Sequence, residues 1–246
     1  MTSIVTILGL GACAAAANLF GGAILVQHNW ERRYLKYFMA LGAGFMLSTA
    51  ILEMLPASLR LGHHYAIFLV LGGYLLIHFC EHTISPHFHF GEETHTDEFD
   101  HGHHHHRRSF SVLLGLLIHT FFDGIAIASG FLVSNALGWL VFIAIFLHKI
   151  PEGFTITSVF LASGSTRLRS WATSAMLGAS TFAGVLLMTL TRNGVEMGLP
   201  FAAGVTLYVA ASDLIPEVNR EPGARMPIWV FAGVAAQILL DHLMGG

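Results

Sequence analysis

Hydrophobic residues in this chain come in long unbroken blocks separated by short polar stretches, without the spacing of a helix that has one wet face. Blocks over residues 3–26, 110–133, 137–161 and 171–190 are each long enough to cross a ~30 Å hydrocarbon core as a helix. Further blocks lie near 34–59, 66–83, 195–215 and 228–243, the last being short. The alternating pattern of transmembrane strands is absent, which leaves a helical bundle as the way to satisfy the backbone in lipid. The predicted fold is an all-α integral membrane protein of about eight transmembrane helices, one domain over residues 1–246.

Composition agrees. Hydrophobic residues make up 54% of the chain and charged residues only 11%, against about a quarter charged in a soluble domain. The first block resembles a signal peptide around residues 14–17, but nothing basic precedes it and it is longer than a signal core, so it is expected to stay as a helix. Cys13 and Cys80 are far apart in separate apolar blocks, which excludes a disulfide framework or a thiolate metal site. No nucleic-acid partner is expected; the lipid bilayer is.

The basic residues are distributed unevenly. With eight helices, the loops after the first, third, fifth and seventh share one side. They hold Arg32, Arg33, Lys36, Arg107, Arg108, Arg167, Arg169, Arg220 and Arg225, against Arg60 and Arg192 on the other side. This asymmetry predicts a multi-pass protein of the cell membrane with both termini extracytoplasmic.

One stretch breaks the apolar pattern. Residues 86–108 hold His87, His89, His95, His101, His103, His104, His105 and His106 among Glu and Asp residues. Such a stretch cannot bury enough surface to fold alone and is expected to be a disordered cytoplasmic loop between the third and fourth helices. Its chemistry suits metal capture, chiefly through His101 and His103 to His106; the alternative is a solvated linker.

Two internal repeats stand out. Residues 119–131 (HTFFDGIAIASGF) match 148–160 (HKIPEGFTITSVF) in the fourth and fifth helices, and 44–56 (GFMLSTAILEMLP) match 204–216 (GVTLYVAASDLIP) in the second and seventh. Each pair must run in opposite directions, so the chain is expected to be an inverted repeat, three helices plus two plus three, as in transporters with a midplane site.

Within the first repeat, His119 and Asp123 are four apart and share a helix face, as do His148 and Glu152. Counted from Asn135 at the intervening turn, His119 lies 16 residues back and Glu152 17 forward, while Asp123 lies 12 back and His148 13 forward. At ~1.5 Å per residue both pairs stand about 18 to 26 Å from the turn. His119 should therefore face Glu152, and Asp123 should face His148. Two imidazoles and two carboxylates suit Zn²⁺, Fe²⁺, Mn²⁺ or Cd²⁺, and the lack of sulfur argues against copper(I). The alternative is a set of polar groups tying helices together. Four ionisable groups at one depth, each costing ~2.5 kcal/mol or more unless paired or metal-bound, favour the metal site.

Other residues take lesser roles. Lys149, about 100° round the helix from His148, is expected to face a neighbouring volume and balance the two carboxylates in place of a second cation. Pro151 removes a backbone hydrogen bond and is expected to kink its helix. Glu53 and Asp213, each three before a proline, and Glu217, one turn on, are candidates for the ion's pathway or for interfacial caps. His78, Glu81 and His82 close the third helix and are candidates to pass metal to the loop.

The HxxxDG and HxxPEG segments, the E/D-x-L/I-P segments and the His-rich loop together resemble the ZIP family of divalent metal transporters, over essentially the whole chain. The resemblance implies a 3+2+3 fold, a possible homodimer, and movement of Zn²⁺ or a similar ion toward the cytoplasm by an elevator-like motion. Position by position, His119, Asp123, His148 and Glu152 match the family's primary transport site. Many members carry Asn after the first histidine and an acid after the second; here these second-site positions are Thr120 and Lys149, and residues 179–184 contain no acid. The chain thus resembles a bacterial-type, single-metal variant. No prosthetic group is expected, the metal being cargo.

An intramembrane zinc hydrolase is the main rival. A catalytic zinc keeps three protein ligands and an open position, whereas four ligands drawn from a repeated pair leave none, and the reading is therefore not an enzyme. A metal sensor using the histidine loop is the second rival.

Overall fold

The computed structural model describes residues 2–27, 32–61, 64–83 and 103–244; the expected loop between the third and fourth helices, from 86 to 102 and including His101, lies outside them. Eight helices are long and apolar enough to cross a membrane, and no strand occurs among the described residues. They are α1 (Ile4–Leu25), α2 (Leu35–Arg60), α3 (Ala66–Thr83), α4 (Ser109–Val133), α5 (Asn135–Ala162), α6 (Arg167–Leu190), α7 (Arg192–Asn219) and α8 (Arg225–Met244). The helix of α4 begins earlier than its apolar part, at His103, so the last residues of the His-rich stretch have helical backbone.

Local chemistry sets the turns. Ser134 is extended (φ −157°, ψ 157°), and its hydroxyl accepts the Leu137 N–H at 3.1 Å, which ends α4 and starts α5 after a single residue. Thr166 caps α6 in the same way, accepting from Arg169. Between them Gly164 takes φ +84°, a conformation that only glycine adopts without strain.

The α5 span is the most enclosed of the eight, while α8 and α3 are the least buried. It packs against α1, α2, α4 and α6, with α4 held against α6; at the periphery α2 pairs with α8 and α3 with α7. Four of these pairings, α1 with α5, α4 with α6, α2 with α8 and α3 with α7, run backbone to backbone. Gly153 of α5 rests on the carbonyl of Asn18 in α1, and Gly21 of α1 on that of Ile150 in α5. Gly124 of α4 rests on Thr181 of α6, and Gly184 of α6 on Phe121 of α4. The outer pairs repeat the device, with Gly44 on Val230 and Gly233 on Leu41, then Gly73 on Phe201 and Gly204 on Val70. Lipid gives helices no hydrophobic reason to associate, so close van der Waals approach at small residues supplies the packing.

Two helices carry a widened turn. Thr49–Met54 in α2 and Val209–Leu214 in α7 are π-helical. Both precede a proline, Pro56 or Pro216, which has no N–H and whose ring crowds the carbonyl four residues back. The residue before each proline instead donates five residues back, Leu55 to Ala50 and Ile215 to Ala210. The two turns fall at the same positions of the repeated segments 44–56 and 204–216. By contrast α5 runs as one helix through Pro151.

Candidate metal site

The centre of the bundle contains charged side chains among apolar ones. His119, Asp123, His148, Lys149 and Glu152 are all buried, none exceeding 3% exposure. Their depth follows from the glycines: Gly124 follows Asp123 and Gly153 follows Glu152, so each carboxylate sits beside the point where an outer helix presses on its own.

One atom from each of His119, Asp123, His148 and Glu152 can be chosen so that all four lie within 4.8 Å of one another. Asp123 Oδ2 is the hub, 3.2 Å from His119 Nε2 and 3.3 Å from His148 Nε2. His148 Nδ1 is 3.2 Å from the Ala144 carbonyl, which orients the ring and leaves Nε2 for the site. A tetrahedron with ~2.0 Å bonds has edges of about 3.3 Å, so the cluster need contract by only about 1–1.5 Å to hold Zn²⁺.

Lys149 bridges the two carboxylates, as expected of a group balancing them. Its Nζ donates to Asp123 Oδ2 and to Glu152 Oε2, both at 2.6 Å. The other oxygens, Asp123 Oδ1 and Glu152 Oε1, have no hydrogen-bond partner, and neither do the two ring nitrogens of His119. Buried polar atoms left without partners are costly, and these belong to three of the four clustered residues, which makes the cluster a candidate ligand site. Thr120 is buried, but its hydroxyl is turned to the Leu117 carbonyl of its own helix, at 3.1 Å.

The remaining candidates fall at two separate places. Glu53, in the α2 π-turn, lines an open pocket with Arg60, Ser134 and Asp241. Asp213, in the α7 π-turn, is buried and faces Glu81 of α3, which accepts the Tyr208 hydroxyl at 2.9 Å. Glu217 pairs with Arg220 at 3.3 Å. His78 and His82 lie against each other, tilted, with ring centres 4.2 Å apart, and His78 lies beside Tyr208. Tyr208 and Asn18 are additions to the sequence reading. Asn18 is fully buried, with no partner for its side-chain amide, on the α1 turn that presses on Gly153. Its signal was a lone Asn in an apolar block.

The profile of the ZIP zinc transporter family matches residues 85–241, which include both site helices and all four candidate ligands. The chain belongs to this family. Its curated relatives include zinc transporter ZIP13 of Danio rerio, 31% identical over 145 residues, which are 54% of this chain and 41% of the relative. ZIP13 of Pongo abelii is 35% identical over 142 residues, 52% of this chain and 42% of the relative. Zinc transporter SLC39A7 of Rattus norvegicus is 29% identical over 142 residues, 52% of this chain and 30% of the relative. The chain thus matches less than half the length of each. With its eight apolar helices this ZIP chain is a multi-pass membrane protein of a transporter family, not an enzyme family.

Proposed function

We propose that this ZIP protein carries a divalent transition metal, Zn²⁺ first and Fe²⁺, Mn²⁺ or Cd²⁺ as relatives of it, into the cytoplasm through a site between α4 and α5. The observation that carries the reading is the buried cluster of His119, Asp123, His148 and Glu152, with ligand atoms within 4.8 Å of one another. Imidazole and carboxylate together suit a borderline divalent ion, and the orphaned oxygens and nitrogens give it atoms to bind.

Transport, as against storage or sensing, is supported by the way the chain is built twice. The α1–α5 and α6–α4 contacts use glycines in matching places, as do the α2–α8 and α7–α3 contacts. An inverted pair of halves around a central site is the architecture from which alternating access follows. The positive charge of the odd-numbered loops supports extracytoplasmic termini. In that orientation Glu53 stands toward the outer mouth, and Asp213 and Glu217 toward the inner one. The histidines of the 86–108 stretch would collect ions weakly at the inner side, and a homodimer, implied by the resemblance alone, is tested by measuring the particle mass in nanodiscs.

The deciding experiment is Zn²⁺ flux into proteoliposomes holding the purified protein, beside His148→Ala, with Fe²⁺, Mn²⁺ and Cd²⁺ as competitors. Saturable flux that vanishes in the variant is the expected result. Tight binding without flux would turn the reading to a sensor.

A further inference from the structure

The ammonium of Lys149 has no exposure to solvent and two carboxylates for partners, Asp123 Oδ2 and Glu152 Oε2, each at 2.6 Å. It takes one oxygen of each carboxylate and leaves the other oxygen of each free of partners. Each carboxylate therefore keeps an oxygen in reserve for a metal ion while the lysine holds the other. With neutral imidazoles, the site then carries one negative charge when empty and one positive charge when loaded. Without the lysine the charges would be minus two and zero.

The cost of holding a charge in a low-dielectric surround grows with its square. An empty dianionic site would be about four times as costly to move as a monoanionic one, while the loaded site would move almost free of charge. A carrier that alternates must return empty after each delivery. On that basis, and resting on the transport reading above, we propose that Lys149 is a fixed counter-cation that makes the return of the empty carrier possible, and so turns a metal exchanger into a net transporter.

The two activities are separable. Net uptake of radiolabelled Zn²⁺ into metal-free proteoliposomes needs the empty return, whereas exchange against internal unlabelled Zn²⁺ needs only the loaded step. In Lys149→Met, which keeps the length and removes the charge, the ratio of exchange to net uptake rises at least about tenfold, the factor for each ~1.4 kcal/mol on the empty step. The double variant Lys149→Met with Glu152→Gln restores charges of minus one and plus one, and its ratio returns to the native value even though both rates fall with the lost ligand. A ratio unchanged in Lys149→Met, or a ratio still raised in the double variant, overturns the proposal. If Lys149→Met does not fold, the double variant decides alone, a native ratio supporting the proposal and a raised one overturning it. Absence of both exchange and net uptake in the native protein is a different failure, that of the transport reading itself.

Discussion

Gly153 of α5 lies directly on the main chain of Asn18 in α1, one residue from the carboxylate of Glu152. No side chain separates the two helices there, so the position of α1 fixes the depth of a candidate metal ligand. Gly124 bears the same relation to Thr181 and to Asp123 on the other site helix.

Gly153→Val should therefore push α1 away and destabilise the fold, by the 1–3 kcal/mol or more typical of overpacking. Gly9→Val serves as the control, because nothing lies within 4 Å of a Cβ at Gly9. The measure is the fraction of protein remaining monodisperse after graded heating in detergent. Equal curves for the two variants would remove the glycine contact from the account.

The apolar blocks located most of the fold, since the expected helices at 34–59 and 66–83 lie within a residue of Leu35–Arg60 and Ala66–Thr83. Hydropathy fell short where polar residues continue a helix: α7 runs on to Asn219 past the end of its apolar block at 215, and α8 starts at Arg225. The pairing of Asp123 with His148 was legible from equal distances to the Ser134 turn, because helical rise is fixed. The partners of Lys149 were legible too, since it was expected to balance the two carboxylates, but its route to them was not. Its Cβ does point about 100° away from that of His148, but four methylenes reach back around the helix to both carboxylates. The π-turns were equally hidden, because hydropathy does not register which carbonyl an N–H chooses; only Pro56 and Pro216 hinted at them.

Those prolines yield the next prediction. In Pro216→Ala the restored N–H lets α7 recover ordinary α-helical bonding, which rotates Asp213 away from Glu81. Thermal stability is expected not to fall, because a helix-breaking residue has been removed. Zn²⁺ uptake is expected to drop severalfold if the wide turn positions a pathway group. Uptake at the native rate would reduce Asp213 to a packing role.

Metal affinity gives a sharper test of the four ligands. Glu152→Ala removes a ligand and leaves Lys149 with Asp123 alone, so Zn²⁺ binding by titration calorimetry should weaken at least about hundredfold, beyond the 10–100-fold that outer partners typically cost. Thr120→Ala, whose hydroxyl faces its own helix, should bind as the native protein does. Similar losses in both variants would indicate a general disturbance of α4 and α5.

Side-selective labelling checks the orientation. With Cys13 and Cys80 replaced by Ala, a cysteine at Ser165 between α5 and α6 should react with an impermeant maleimide only from the cytoplasmic side, and one at His64 before α3 only from outside. Both sites reacting from one side would break the eight-span arrangement and the nine-to-two reading of basic loop residues with it.

The last prediction concerns the charge beside the site. Lys149→Asp replaces an ammonium between two carboxylates by a third carboxylate, leaving Asp123 and Glu152 without their shared cation. Like charges this close cannot all stay ionised without a counter-ion, so the site should recruit one from solution. The expected result is two Zn²⁺ ions per chain by metal analysis after gel filtration, against one in the native protein, both counted with the 86–108 stretch deleted to remove its histidines. A stoichiometry still at one ion per chain would mean that Lys149 does not stand where a second cation can bind, and that its two ion pairs serve only the first.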